Sequence, residues 1–304
     1  MRPGGITPLQ SLRLAEYLLP VRCVICEAEN VRDAERCQHC RAPLTFGQWR
    51  AESVEMVHRV GLLGAPGVGK TVYLAMLLDI LGQQEAELQL LARGAFSLNL
   101  QAEVIPALAR CEFPDRTPKL PELWNWVHCQ VRRRRDRRPW DLVIPDPAGE
   151  ALVDSLEHPL NYPALTNLFR RADAAMLLID AGQLSSGCRA EELLAVKLLS
   201  QLAELAPAHR SGKCRIPTAI ILTKADQCEA AQVSPAGFLR THAPTLWYHA
   251  ERRLLRYAVF AVQIVGGCAL RQLPHNGRVV VPLRVEPHGV LEPFTWLIDH
   301  LGRK

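Results

Sequence analysis

Apolar runs of four to nine residues recur along the chain at 56–63, 123–131, 141–144, 174–180, 218–222 and 257–264, the lengths expected of strands buried in a sheet. Between most of them the apolar positions return at three- and four-residue spacing, which predicts helices over 71–81, roughly 98–110, 190–205 and 235–255. Strand and helix in alternation predict an α/β fold with a mainly parallel, doubly wound sheet covered on both faces. No helical segment separates 123–131 from 141–144, so that pair is predicted to form a hairpin with the run Arg132 to Arg138 at its tip. A last amphipathic helix is expected over 292–301. Residues 265–290 are irregular and rich in turn formers, and their pattern does not choose between a lid and a cover for the sheet edge.

Ahead of this alternation, 6–19 has a helical pattern that stops at Pro20, and 48–55 is a polar connector. The expected organisation is an N-terminal helical segment (1–20), a small module (21–47) and one large domain (54–304). The length of 304 residues suits one large α/β core plus an appendage. Apolar residues at 48% and charged residues at 22% exclude wholesale disorder. No apolar stretch approaches the roughly 20 residues of a membrane span, and no apolar signal core follows the basic start, so no span and a cytoplasmic location are expected. The net charge of +5 is carried largely by the arginine run, which is a weak argument for nucleic acid.

Directly after the first strand stands Gly64-Ala65-Pro66-Gly67-Val68-Gly69-Lys70-Thr71, the G-x-x-x-x-G-K-[ST] pattern of a phosphate-binding P-loop, with a helix following as the motif requires. Its amides and the helix N-terminus attract phosphate oxygens, Lys70 reaches the β and γ phosphates, and the Thr71 hydroxyl suits Mg²⁺. The strand expected at 141–144 runs on into Asp146-Pro147-Ala148-Gly149, a D-x-x-G in which Asp146 can hold the magnesium shell and Gly149 can offer its amide to the γ phosphate. A third strand end carries Thr223-Lys224-Ala225-Asp226, where Asp226 can accept hydrogen bonds from guanine N1 and N2 and Lys224 can lie along the base.

In order and placement these elements resemble those of P-loop GTPases of the translation-factor and Ras-like class. GAPGVGKT, PDRTP, DPAGE, TKAD, FAVQIVGG and the ending VEPHGVLEPFTWLIDHL together resemble the bacterial double-GTPase family, second type, over about 56 to the C-terminus. The resemblance implies that Thr117 is a switch threonine joining Mg²⁺ in the triphosphate state, and that Glu150 stands where related enzymes place the water-orienting glutamine. The charge of Glu150 beside a γ phosphate implies slow hydrolysis or dependence on an activator. Pro66 replaces a frequent glycine near the γ phosphate and leaves the loop geometry and hydrolysis rate open, and Gln263-Ile264 replace a frequent Ser-Ala, so guanine preference rests on TKAD. Lys70, Gly149 and Glu150 are thus the candidate catalytic residues, with Thr71, Thr117 and Asp146 for Mg²⁺.

Cys23-Val24-Ile25-Cys26 and Cys37-Gln38-His39-Cys40 are paired C-x-x-C knuckles, the spacing of a closed tetrahedral zinc site, with His39 expected to be a loop residue. Such a Zn²⁺ ribbon is expected to be structural and to present a surface to a protein more readily than to nucleic acid. Cys111, Cys129, Cys188, Cys214, Cys228 and Cys268 are read as single reduced thiols. Trp124, Trp126 and Trp140 are read as packing residues, and the arginine run as a solvated tip or a phosphate contact. The function expected is a GTP/GDP switch that needs Mg²⁺ and acts on a protein partner, which the resemblance places in a bacterial defence system and which includes the case of another GTPase. The alternatives are a nucleotide-stabilised adaptor with little hydrolysis and a nucleic-acid-stimulated P-loop NTPase.

Overall fold

A computed structural model describes residues 20–45, 57–83, 88–93, 95–133, 139–272 and 278–301. The expected N-terminal helix at 6–19, the connector and residues 134–138 of the arginine run lie outside the described residues.

A seven-stranded sheet forms the centre, in the order β4 (Leu88–Arg93), β5 (Asn125–Arg133), β6 (Trp140–Asp146), β3 (Val57–Gly64), β7 (Ala174–Asp180), β8 (Thr218–Thr223) and β9 (Tyr257–Ala261). The pairings from β6 through β3, β7 and β8 to β9 are parallel, whereas β4–β5 and β5–β6 are antiparallel. Strands β7 and β8 are buried at every position, as expected of central strands with both faces covered. Their alternation sorts side chains between two cores. Ala175, Leu177 and Ile179 join the helices Pro163–Arg171 and Arg189–Leu205 on one face, and Ala174, Met176 and Leu178 join Lys70–Gln83, Ala95–Ala109 and Leu291–His300 on the other.

All six expected strands and the predicted hairpin are present, with Val131 opposite Trp140 at its outermost described pair. Two expected elements are divided. Helix 235–255 breaks into Pro235–His242 and Pro244–Arg253, because Pro244 has no N–H to donate and forces Ala243 out of helical geometry, at φ −140° and ψ 61°. Strand 257–264 ends at Ala261, and β10 (Gln263–Val265) leaves the sheet to pair with β13 (Val285–His288). Between them β11 (Cys268–Gln272) and β12 (Arg278–Pro282) form an antiparallel hairpin, so the described residues of 265–290 belong largely to small two-stranded pieces. Strand β4 and the helices Gly149–Glu157 and Pro163–Arg171 were not among the expected elements, although both helices have one apolar face, with Ala151, Leu152 and Ser155 buried in the first and Ala164, Leu165, Leu168 and Phe169 in the second.

The small module has β1 (Val21–Arg22) paired with β2 (Glu29–Asn30). Its Val24, Ile25, Ala42 and Leu44 are buried and belong to the same continuous core as Trp124, Trp126 and Phe169 of the large domain. The module is therefore packed onto the sheet domain.

Candidate functional site

Parallel strands expose their carboxyl ends on one side, where ligands of such sheets bind. Here β3 ends in the phosphate loop, β6 in Asp146, β7 in Asp180 and β8 in Thr223. The chain leaves β3 through Gly64 at φ +152°, where a Cβ would lie 2.7 Å from the Leu178 carbonyl oxygen, so only glycine fits this exit. The loop then enters the helix Lys70–Gln83. Lys70 is buried, and its Nζ donates to the carbonyls of Gly64 at 3.0 Å and Ala65 at 3.1 Å. Burial lowers its pKa to about 8, against the opposing pull of Asp146 and Glu150.

Next to the loop, three oxygens from distant parts of the chain converge. Thr71 Oγ1 donates to Asp146 Oδ2 at 2.7 Å and lies 3.0 Å from Thr117 Oγ1, which is 3.4 Å from the same Oδ2. Asp146 is fully buried, its Oδ1 has no hydrogen-bond partner, and burial raises its pKa. A buried carboxylate with a spare oxygen beside two hydroxyls is a hard, all-oxygen donor set that fits a small divalent cation such as Mg²⁺. Asn125, which the motifs did not single out, also reaches Oδ2 at 3.5 Å. It opens β5 directly opposite Asp146 in the ladder, a position visible only once register is known.

Gly149 begins the helix Gly149–Glu157 against the phosphate loop, and a Cβ there would lie 2.3 Å from the backbone nitrogen of Pro66. The following Glu150 faces Arg116, with Oε1 3.7 Å from Nη1. At the opposite end of the site, Thr223 Oγ1 donates to the Val68 carbonyl at 2.9 Å and so ties β8 to the phosphate loop. Lys224 adopts a left-handed backbone at φ 54°, and its Nζ pairs with Asp180 Oδ2 at 2.5 Å. Asp226 is partly exposed, and its pKa is raised by partial burial.

A single cleft of about 550 Å³ joins these groups: loop residues 67–71, Thr117, Gly149, Glu150, Lys224 and Asp226 all line it. Val265 and Cys268 with Val280 of β12 also line it, so the β11–β12 hairpin borders the same cleft as Asp226. Asp180 and the hairpin were absent from the motif reading. Asp180 is the last residue of a fully apolar strand and could have been noticed as such.

The four knuckle cysteines converge as well. Their sulfurs all lie within 4.8 Å of one another, three of the residues being buried. Cys23 and Cys40 are 3.6 Å apart and Cys26 and Cys37 are 3.4 Å apart, far beyond a disulfide bond length of about 2.05 Å. The two knuckles repeat one geometry. Glu27 N donates to Cys23 O and Arg41 N to Cys37 O, both at 2.9 Å, and both residues are left-handed, at φ 63° and 66°. Asn30 Nδ2 lies 3.6 Å from Cys37 Sγ, and His39 is exposed and outside the cluster. The other six cysteines are free.

Trp124 and Trp126 are buried as packing residues, whereas Trp140 is half-buried against His58. Of the arginine run, Arg133 pairs with Asp299 and Arg132 is exposed. No helix among the described residues is long and apolar enough to cross a membrane.

Among solved structures, the chain is similar to the S. cerevisiae Ski7 GTPase-like domain bound to GTP, with 15% identity, a TM-score of 0.45, and coverage of 84% of this chain and 52% of that one. It is also similar to the septin GTPase domain from Chlamydomonas reinhardtii, with 15% identity, a TM-score of 0.41, and coverage of 81% and 92%. The chain thus spans about half the length of the Ski7 structure it matches. No curated protein sequence matches it. The sequence profile of Double-GTPase 2 matches residues 58–265, more than half of the chain. That span holds the phosphate loop, DPAGE and TKAD, and the chain belongs to the Double-GTPase 2 family of P-loop GTPases.

Proposed function

We propose that the chain is a Mg²⁺-dependent GTP-binding and GTP-hydrolysing switch that acts through a protein partner. The observation that carries this reading is the single cleft lined by Lys70, Thr71, Thr117 and Asp226, with the buried Asp146 carboxylate held against the two threonine hydroxyls.

Loop amides and the N-terminus of helix Lys70–Gln83 hold the phosphates, and Lys70 exchanges its two carbonyl partners for phosphate oxygens. Thr71, Asp146 and Thr117 are the residues that would hold Mg²⁺, which when bound neutralises phosphate charge. Thr117 belongs to 112–118, a stretch without regular hydrogen-bonded structure, so its position depends on what its hydroxyl holds. That is the property of a segment ordered in one nucleotide state and released in the other. Asp226 supplies the acceptor pair for guanine N1 and N2, and Lys224, fixed by Asp180, flanks the base. Glu150 is available to orient water, and the four cysteines would hold a structural Zn²⁺. The absence of an apolar signal core and of a membrane-length apolar stretch in the sequence supports a cytoplasmic protein, and family resemblance suggests that its partner belongs to a bacterial defence system.

One observation favours a second reading, in which the chain stays loaded and serves as an adaptor. Glu150 faces Arg116, and a carboxylate is a poor neighbour for a γ phosphate, so unassisted hydrolysis is slow.

Calorimetric titration of GTP, GDP and ATP into zinc-loaded protein, with Mg²⁺ or with EDTA, tests the first reading. Guanine preference that Asp226→Ala abolishes supports it, and equal affinity for ATP removes it. Single-turnover hydrolysis with and without candidate partners separates the switch from the adaptor.

A further inference from the structure

The cysteine module touches the large domain through the residue that follows each knuckle. These two residues, Glu27 and Arg41, occupy equivalent left-handed positions and carry opposite charges. Glu27 faces rigid parts of the domain. Its carboxylate takes Arg59 of β3 at 3.1 Å and Arg171, the last residue of helix Pro163–Arg171, at 2.6 Å. Arg59 also donates to the Val24 carbonyl at 2.6 Å.

Arg41 faces a different kind of structure. Its Nε donates to Glu122 at 3.1 Å, and Glu122 lies in the short 3₁₀ turn Pro121–Leu123. The Glu122 carboxyl is held below its ordinary range by its own backbone N–H and by Arg41, with Arg36 of the module adding to the pull. That turn is tied back to the switch segment, because the buried Trp124 donates its indole N–H to the Pro118 carbonyl at 3.1 Å. Pro118 directly follows Thr117, whose hydroxyl meets Thr71 and Asp146. Two side-chain contacts, Arg41 to Glu122 and Trp124 to Pro118, joined by the short backbone stretches 122–124 and 117–118, thus lead from Arg41 to Thr117. One knuckle is fixed to the sheet while the other holds the segment that must move.

We infer that the cysteine module positions the first switch segment, with Arg41 and Glu122 as positioning residues that keep Thr117 at Thr71 and Asp146 and so slow nucleotide release. The module is then an internal brace on the site as well as a surface for others. This rests on the nucleotide-binding reading above. Both side chains are partly exposed, at 59% and 29%, so their pairing is a modest contribution that tunes a rate and leaves folding intact.

The test is the release rate of mant-GDP, in Mg²⁺ buffer, from zinc-loaded full chain. Arg41→Glu and Glu122→Arg are each expected to speed release about two- to fivefold, the loss of a surface ion pair of up to about 1 kcal/mol. The double swap, R41E with E122R, is expected to return release to within about twofold of wild type. Arg22→Ala, which removes an ion pair internal to the module, is expected to leave it unchanged. Zinc content and melting temperature report that each variant is folded, and Glu122→Gln provides a milder second variant. Unchanged release in the single variants, or a swap that restores nothing, overturns the inference while binding stands. A wild-type chain that binds no mant-GDP overturns both readings.

Discussion

Thr71 and Asp146 are 75 residues apart in sequence, yet the hydroxyl of one donates to the carboxylate of the other across 2.7 Å. The parallel pairing of β6 beside β3 brings them together, because Asp146 ends β6 while Thr71 stands in the first turn of the helix that the phosphate loop leads into from β3. Asp146 keeps a second, buried oxygen with no partner.

Burial of this carboxylate with one oxygen unpartnered destabilises the ligand-free chain where the group is ionised. Burial raises the folded-state pKa of Asp146 above its unfolded value, so its contribution to stability is present below the unfolded pKa of about 3.9 and is lost as pH rises through the folded pKa. At neutral pH, Asp146→Asn is expected to raise the melting temperature of the ligand-free protein by about 2–4 °C. The same variant is expected to lose the Mg²⁺-dependent part of nucleotide affinity. Scanning calorimetry and titration with and without EDTA check the two halves, and a lower melting temperature refutes the first.

Lys70 is expected to make nucleotide binding depend on pH in the alkaline range. With its pKa lowered to about 8 by burial, Lys70 is charged below that pH and neutral above it, and phosphate binding favours the charged form. Affinity is expected to fall by up to about tenfold per unit as pH rises from about 8 towards 10, with proton uptake on binding. Titration in two buffers of different ionisation heat measures that uptake directly.

Gly149 has no room for a side chain. A Cβ at this position meets Pro66 backbone atoms at 2.3 and 2.5 Å, and backbone cannot yield as a flexible side chain does. Gly149→Ala is expected to cost about 1–3 kcal/mol, or to lift the start of helix Gly149–Glu157 from the loop. In either case discrimination between GTP and GDP is expected to shrink at least about fivefold, measured as the ratio of their dissociation constants.

The cysteine cluster is expected to hold about one Zn²⁺ per chain, and Cys37→Ser to empty it. With Val21, Val24, Ile25, Ala42 and Leu44 as its buried aliphatic residues among those described, the module is too small to persist without a closed metal site. Metal analysis and limited proteolysis are expected to show zinc loss and new cleavage within 20–45. Intact zinc in the serine variant would point to a different ligand set.

Strand and helix identity was legible wherever the local pattern was strong. The runs at 174–180 and 218–222 became fully buried central strands because few apolar residues in a row have any other stable place. The weak alternation of Leu88–Arg93 hid an edge strand, with Leu88 and Leu90 buried and Gln89 and Leu91 exposed. It is a strand because β5 offers it a partner. Pro244 was visible as a breaker, but its helical flanks made the segment read as one.

The sequence by itself determined the chemistry of the site and of the cysteine module. Phosphate loop, D-x-x-G, T-K-x-D and paired C-x-x-C are each set by a few neighbouring residues, whose spacing dictates which atoms face a ligand. Only the tertiary structure decided that Asn125 stands opposite Asp146, that Asp180 fixes Lys224, that the β11–β12 hairpin borders the cleft, and that Glu27 and Arg41 brace the module on the domain. These relationships join residues whose proximity comes from strand register and the burial of distant apolar faces. No local pattern encodes that.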